Sequence, residues 1–235
     1  MLNVDGDGMS KLPTLIDLNN EKQYRIIPSI YPPINFFEGL VDPSEMETLW
    51  QIEAISNERL KQETGDIFLV TEEDRIGGPG SSVVMAAFTH LSKPTRFSDG
   101  SFGIYYAGLS QETAIRETVY QREKFLQATD EDASEITMRL YEGTILKSLH
   151  DIREKKYNRL YHPHDYSESQ QFATILRNKK SWGLIYNSVR HKNGNCIAAL
   201  RPPAISIPKQ ISHFKYIWDG KKITEVLNTH SILKL

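Results

Sequence analysis

Two short turns in the last third of the chain constrain its fold more than any other feature. Asn193–Gly194 and Asp219–Gly220 each separate two runs that are rich in β-branched and aromatic residues. Asn-Gly and Asp-Gly pairs take up the left-handed backbone that two-residue hairpin turns require, so each turn predicts a pair of antiparallel strands. The four strands are predicted at residues 184–189, 196–200, 211–218 and 222–226.

Three helices are predicted from their start signals. Each begins at a side chain that can accept hydrogen bonds from the free N–H groups of the first turn. The helices are predicted from Asp42 to Gly65, from Ser110 to Leu126 and from Ser167 to Lys180, with Pro43 and Glu45 supporting the first start and Gln170 the third.

Further short strands complete the pattern. They are predicted at residues 24–27, 67–70, 102–107, 136–140 and 145–149. Because strands and helices are mixed without regular βαβ alternation, the pattern predicts a single α+β domain. Its sheet should be mixed and mostly antiparallel, with flanking helices. Residues 1–20 are expected to be a flexible N-terminal arm, and 21–235 the folded domain with a C-terminal hairpin extension.

The composition suits a globular protein in a reducing compartment. Of the 235 residues, 39% are hydrophobic and 25% charged, and no apolar run reaches the length of a membrane span. The polar N-terminus does not resemble a secretory signal, and a single cysteine excludes an intrachain disulfide. We therefore expect a cytoplasmic protein that does not contact a membrane.

Charge is unevenly distributed along the chain. The net charge is −2, which gives no general case for nucleic-acid binding, but from Leu176 onward there are eleven Lys or Arg and two Asp or Glu. This basic C-terminal quarter could attract a polyphosphate or an acidic partner. The alternative is an ordinary solvated surface.

Three residues on separate predicted elements could meet around an anionic sugar. Glu117 lies two turns into a helix, where a carboxylate can stabilise a developing oxocarbenium ion or hold a ribose hydroxyl. Tyr106 ends the preceding strand and can stack on a ring, while Arg25 offers a planar fork to a pyrophosphate. The alternatives are a helix-surface glutamate, a core tyrosine and an arginine in a structural salt bridge.

Three further residues are weaker candidates. Arg96 precedes a turn and could make a second phosphate contact, or be exposed. Ser167 could be only a helix N-cap, although a helix N-terminus can also hold a phosphate. Ser188 has no nucleophile-elbow sequence around it, so the sequence supports a hydrogen-bonding role alone.

Other groupings favour structural roles. The histidines in 162–165 are separated by a proline and lack cysteine ligands, which argues against zinc, so no metal is expected. His191 and Cys196 flank a hairpin turn and could form a thiol–imidazole pair, although a packed core thiol is the stronger interpretation. Gly77–Gly80 fits no phosphate-binding motif and indicates a turn, or backbone freedom near a site.

Six short stretches in a fixed order resemble the RES-domain family, the toxins of Xre–RES toxin–antitoxin pairs. The resemblance runs from about Tyr24 to Ala204. It is carried by residues 24–28, 77–81, 96–100, 105–118, 161–167 and 186–191. Two departures are Ile26, where several members have a second aromatic residue, and Thr95–Ser98, where shorter members read Gly-Arg-Trp-Asn.

The resemblance implies a fold like that of mono-ADP-ribosyltransferases and loss of NAD by cleavage of the nicotinamide–ribose bond. Water or inorganic phosphate would be the acceptor, and no cofactor beyond the substrate NAD would be needed. It implies that Arg25 binds the dinucleotide, Tyr106 contacts nicotinamide and Glu117 stabilises the transition state. Ser167 and Ser188 fall on serines that recur in the family, and Arg96 falls on a recurrent arginine.

The resemblance also implies a partner, an Xre-type helix-turn-helix antitoxin that inserts a C-terminal segment into the cleft. DNA binding would belong to that partner, and the toxin could be a homodimer within the complex. Two rival hypotheses stay open at this point. The chain could transfer ADP-ribose to a macromolecule, or act as an inert co-regulator bound to its antitoxin.

Overall fold

One sheet of nine strands runs through the molecule. The computed structural model describes residues 12–39, 42–56, 62–90 and 93–229. The strands are β1 Leu15–Ile16, β2 Lys22–Pro28, β3 Tyr105–Gly108, β4 Ser134–Thr144, β5 Leu149–Asp151, β6 Gly183–Asn187, β7 Asn195–Ala199, β8 Lys209–Trp218 and β9 Ile223–Thr229. Their order in the sheet is β1-β5-β6-β7-β3-β2-β4-β8-β9. Among the strands of the described residues only β5 and β6 pair in parallel, so the sheet is mixed and mostly antiparallel, as predicted.

Helices flank this sheet, which makes the fold α+β. The α-helices of the described residues are α1 Asn35–Glu38, α2 Met46–Ser56, α3 Ser82–Thr89, α4 Gln111–Thr129 and α5 Ser167–Asn178. Helix α4 packs against β2 and β3, and its Ala114 joins a buried cluster with Met138 of β4 and Phe214 of β8. None of the described helices combines the length and the apolar character that a membrane span requires.

Both predicted hairpins are confirmed. Strands β6 and β7 pair antiparallel, with Asn187 opposite Asn195, and the turn between them places Asn193 at φ 65°. Strands β8 and β9 pair antiparallel around a turn in which Gly220 has φ 92°. The pairing was predicted correctly, but neither connection is a two-residue turn: residues 188–194 join β6 to β7, and residues 219–222 join β8 to β9.

Helix α4 also begins where the sequence predicts. Ser110 has extended backbone angles, and its side chain accepts the N–H of Thr113, so it is the N-cap. The helix ends at Thr129, one turn later than expected, because Asp130 takes the left-handed conformation at φ 52° and terminates it.

The other two predicted helix starts are wrong in detail. Helix α2 begins at Met46 rather than beside Asp42, whose carboxylate accepts the N–H of Ser44 in a local turn. The predicted run through 57–61 lies outside the described residues. Ser167 is the first residue of α5 and not its cap, and Gln170 donates to Thr95 O at 2.8 Å instead of closing a capping box.

Two strand predictions are corrected by the structure. Residues 67–69 form a 3₁₀ helix because the Asp66 side chain accepts the N–H of Phe68 and closes a turn. The predicted strand at 145–149 is a connection, since β4 continues to Thr144 and β5 starts only at Leu149.

The segment expected to be a flexible arm is partly incorporated into the sheet. Leu15–Ile16 pairs with His150 and Leu149 of β5, and the His150 ring lies 2.8 Å from Pro13 O. Residues 12–20 are therefore not loose, while 1–11 lie outside the described part of the chain. A strand of two residues has too little alternation to be detected from sequence.

Candidate functional site

The sheet opens between its two central strands. Strand β2 pairs with β4 along all seven of its residues but with β3 only at Tyr24 opposite Gly108. Beyond that pair the strands diverge, and a cavity of about 550 Å³ lies at the divergence, bounded by β2, β3, β4, α3, α4 and the β6–β7 turn. This volume is within the range of small-molecule sites.

Arg25 of β2 spans the opening. It is half-buried, its Nη1 donates to Tyr106 O on β3 at 3.0 Å, and its guanidinium lies 4.4 Å from the centre of the Tyr105 ring. Its Nε is buried without a hydrogen-bond partner, and it forms no ion pair with any residue that the structure describes. Burial lowers the pKa of Arg25 from its ordinary value. The alternative of a structural salt bridge is therefore not found among the described residues.

Glu117 of α4 also lines the cavity and is half-buried rather than a surface residue. Its Oε1 accepts the hydroxyl of Ser188 at 2.5 Å, and the thiol of Cys196 lies 3.9 Å from the same oxygen. The hydrogen bonds found for this side chain all fall on Oε1, which leaves Oε2 available. Ser188, in the turn after β6, therefore holds the Glu117 carboxylate from one side.

Ser188 is not a lining residue of the cavity. Its Oγ accepts the backbone N–H of Arg190 at 3.1 Å and of His191 at 2.9 Å while it donates to Glu117. A hydroxyl with one donated and two accepted bonds has no capacity left for a ligand. Ser188 thus positions Glu117, in agreement with the hydrogen-bonding role expected from the sequence.

Tyr106 presents its ring, not its hydroxyl. The hydroxyl lies 2.8 Å from Thr95 Oγ1 and accepts the N–H of Phe97 at 3.1 Å. The ring stacks against Phe97 at an interplanar angle of 21°, and Tyr106 lines the cavity. Burial raises the pKa of Tyr106 to about 12. A ligand ring can therefore stack on it, while hydrogen bonding through the hydroxyl would require these contacts to break.

Of the two candidates Arg96 and Ser167, only Arg96 lies in the lining of the cavity. Arg96 is buried and lines the cavity, with Nη1 donating to Leu160 O and His162 O at 3.3 and 3.0 Å and its guanidinium 4.7 Å from the Tyr166 ring. Ser167 is exposed on α5 and is not part of the lining. The site therefore contains Arg25, Tyr106, Glu117 and Arg96 but not Ser167.

The charge of the lining is strongly biased. Glu117 is the sole Asp or Glu that the described lining contains, against six basic side chains: Arg25, Lys93, Arg96, Arg122, Lys124 and Arg190. Only Arg190 comes from the basic C-terminal quarter. Sequence reasoning missed Arg122, Lys124 and Arg190. Helical spacing was the available signal, because residues three and four positions apart share a face and Gln121 and Lys124 follow Glu117 at four and seven positions.

The remaining groupings lie in structural roles. His191 Nδ1 lies 2.9 Å from Thr113 Oγ1 and does not meet Cys196, and burial raises the pKa of the Cys196 thiol. His162 Nδ1 accepts the N–H of Asp165, which is a local turn. Gly80 lies outside the cavity and donates its N–H to Glu38 at 2.5 Å. Within the described ranges, no three His, Cys, Asp or Glu side chains are grouped to hold a metal ion.

Comparison with known families places this site in context. Residues 72–219, more than half of the chain, match the RES domain family. The chain belongs to the RES domain family. The matched segment contains Tyr106, Glu117, Arg96, Ser167 and Ser188, whereas Arg25 on β2 precedes it. Strand β9 follows it, so this RES-domain protein completes its sheet with residues at both ends of the match.

Two individual proteins are similar to this RES-domain protein. One is the "Uncharacterized protein y4oC" of Sinorhizobium fredii (strain NBRC 101917 / NGR234), 29% identical over 205 residues that cover 86% of this chain and 84% of the relative. The other is in the crystal structure of the M. tuberculosis MbcT–MbcA toxin–antitoxin complex. The match is 12% identical, covers 54% of this chain and 66% of that one, and has a TM-score of 0.34. A likeness that distant carries no inference about function.

Proposed function

We propose that this RES-domain protein is the toxin of a toxin–antitoxin pair and depletes NAD by cleaving its nicotinamide–ribose bond. The observation that carries the proposal is Glu117, the single carboxylate of the described lining, in one cavity with Arg25 and Arg96 at the strand opening. Such a site suits a polyanion that develops positive charge at one sugar carbon. The membership of a toxin–antitoxin pair follows from the resemblance to Xre–RES pairs.

A single carboxylate is sufficient for this reaction. Hydrolysis of an ordinary glycoside uses two carboxyl groups, because one must protonate the departing oxygen. In NAD the C1–N1 bond breaks with its electron pair moving to the pyridinium nitrogen, so nicotinamide leaves neutral and needs no proton. The oxygen of water then bonds to C1 and releases its proton to the solvent, whereas an anionic oxygen of phosphate bonds to C1 without losing a proton. Only the ribosyl cation requires stabilisation, which would be the role of Glu117.

The surrounding contacts suggest how each group acts. Ser188 holds Oε1 of Glu117, so Oε2 can accept a ribose hydroxyl. The ring of Tyr106 offers a stacking surface for nicotinamide, since its hydroxyl is engaged by Thr95 and Phe97. Arg25 carries an unpaired, desolvated guanidinium that would bind the pyrophosphate, and Arg96 would make a second contact.

The cavity also suggests how the toxin is neutralised. An Xre-type antitoxin whose C-terminal segment carries carboxylates would be attracted by the excess of cations around Glu117 and would exclude the dinucleotide. Binding of DNA would then be a property of the antitoxin. Function as a toxin in this sense implies a cytoplasmic site of action.

The proposal is tested by incubating the purified chain with NAD and following nicotinamide by NMR, with and without phosphate. We expect nicotinamide to appear with the wild type and to form about 100- to 1,000-fold more slowly with Glu117→Gln. Glu112→Gln is the matched control, because Glu112 lies on the same helix but is exposed and outside the lining. Accumulation of ADP-ribose identifies water as the acceptor, and its 1″-phosphate identifies phosphate.

Two results contradict the proposal. Transfer of label from NAD to a protein or nucleic acid, without free ADP-ribose, would favour the macromolecular transferase. NAD that stays intact in the presence of folded, antitoxin-free protein would favour the inert co-regulator. Expression in cells separates these further, since growth arrest with loss of NAD is expected for the wild type and not for Glu117→Gln.

A further inference from the structure

The outer part of the cavity holds more positive charge than a dinucleotide pyrophosphate uses. Arg25 and Arg96 lie near the strand opening, but Arg122, Lys124 and Arg190 belong to the second half of α4 and to the β6–β7 turn. NAD carries two phosphate charges and one compensating pyridinium. These three cations therefore have no counterpart in the substrate of the proposed function, on which this inference rests.

In the described ranges, no carboxylate forms an ion pair with the outer cations Arg122, Lys124 and Arg190. Arg122 and Lys124 form no ion pair with a residue in the described ranges, and Arg122 packs over the Phe125 ring at 5.1 Å. The other carboxylates of α4 are used elsewhere. Glu112 pairs with Arg116, and Glu123 accepts the N–H of Ile223 at 2.7 Å. Neither lines the cavity.

Arg190 is held in place for an anion. Its guanidinium lies 3.5 Å from the centre of the Tyr120 ring, and Nη2 donates to Pro163 O at 3.4 Å. Stacking on the ring face fixes the plane of the fork while leaving N–H edges free. Tyr120 lies one turn from Lys124 and also one turn from Glu117, so the guanidinium of Arg190 lies between these two residues along the helix.

The distance along α4 separates Lys124 from the reacting carbon. Lys124 follows Glu117 by seven residues, a rise of about 10 Å along the helix axis. A ribose held at Glu117 would thus place the far ribose of a dinucleotide, across its pyrophosphate, near Lys124. Arg190, stacked on Tyr120 between Glu117 and Lys124, would lie beside that path. In dinucleotides, the 2′ hydroxyl of that ribose is the one that commonly carries an additional phosphate group.

We propose that Arg122, Lys124 and Arg190 form a subsite for a phosphomonoester on the far ribose, so that the enzyme prefers the 2′-phosphorylated dinucleotide NADP to NAD. A phosphomonoester adds about 1.5 to 2 negative charges at neutral pH, which complements three unpaired cations. The fork of Arg190 suits a phosphate through paired hydrogen bonds.

The test compares kcat/KM for NADP and NAD in the wild type, in Lys124→Gln/Arg190→Gln and in Lys179→Gln, an exposed cation outside the lining. We expect the wild type to favour NADP by about 10-fold or more. The double variant should lose that preference because kcat/KM falls more for NADP than for NAD, and Lys179→Gln should retain it. Equal kcat/KM for the two substrates, or a preference that survives the double substitution, overturns the inference.

A binding measurement keeps this inference separate from the proposed function. Calorimetry with Glu117→Gln should show NADP bound more tightly than NAD, and the two outer substitutions should remove the difference. If the wild type cleaves neither dinucleotide while this binding preference is found, the proposed function fails and the subsite stands. If the outer substitutions instead raise the phosphate concentration needed for NAD cleavage and leave the NADP preference untouched, the cations serve free phosphate and the subsite proposal is overturned.

Discussion

Arg25 and Arg201 are two partly buried arginines that differ in one respect. Each stacks on an aromatic ring, Arg25 at 4.4 Å from Tyr105 and Arg201 at 3.9 Å from Trp182. Arg201 forms an ion pair with a carboxylate. Its Nε and Nη2 donate to Asp74 at 2.6 and 2.7 Å, and this contact raises the pKa of Arg201. Arg25 has only the Tyr106 carbonyl, and burial lowers its pKa.

The difference distinguishes a structural arginine from a binding one. A buried charge is costly unless it is paired, and Arg201 satisfies this condition within the protein. The charge of Arg25 has no such partner within the described residues, so an anionic ligand can supply the ion pair that the protein does not. Four substitutions or conditions test this contrast.

The largest effect is expected for Arg25→Gln. Loss of a desolvated guanidinium should lower kcat/KM for the dinucleotide by about 100-fold or more, because hydrogen bonds to a charged group are lost. Stability in urea should be unchanged or slightly higher, since an unpaired buried charge is removed. A large loss of stability would show that Arg25 has a structural role and would contradict the difference between Arg25 and Arg201.

Arg201→Gln should have the opposite pattern. Asp74 would be left buried without a partner, so we expect the free energy of unfolding to fall by about 2–3 kcal/mol, somewhat less than for a fully buried pair. The activity per folded molecule should be preserved. Asp74→Asn in the same chain should recover part of the stability, and a double variant no more stable than Arg201→Gln would contradict the pairing.

Ser188→Ala should have a smaller effect that falls mainly on kcat. Glu117 would lose the bond that holds Oε1, which we expect to lower kcat by about 10-fold with little change in KM. If kcat is unchanged when the variant is folded to the same extent as the wild type, Ser188 only caps the turn by accepting the N–H groups of Arg190 and His191. The ratio of kcat to KM effects separates positioning from substrate binding.

The smallest effect concerns alkaline pH and the phenols beside Arg25. Burial raises the pKa of Tyr105 and of Tyr106 to about 12, above the ordinary value of 10.0. Because the folded state holds these protons more tightly, their stabilisation is complete below pH 10 and is lost as the pH rises from about 10 to 12. Urea midpoints measured at pH 8, 9.5 and 11 should decline only in the last interval. A constant midpoint up to pH 11 would contradict the assignment of buried, neutral phenols.

Local sequence was sufficient wherever one backbone conformation decided the outcome. Asn193 and Gly220 adopt positive φ angles in the predicted hairpins, and Ser110 caps the helix that carries Glu117. It failed at 67–70 and at Ser167, where a neighbouring side chain, Asp66 or Asp165, takes the N–H group that the pattern had assigned differently. Such competition between nearby acceptors is too fine for periodicity to resolve.

The sequence by itself determined the α+β class, both hairpins and the candidate residues Arg25, Tyr106 and Glu117, because turn chemistry and residue type are local properties. Only the tertiary structure decided which of them share a cavity. The divergence of β2 from β3 after one residue pair, and the bond from Ser188 to a carboxylate 71 residues earlier in the chain, depend on long-range pairing. The same pairing brings Arg190 to the helix of Glu117 and leaves Arg25 without a carboxylate, since a side chain's partners are set by what packs against its strand.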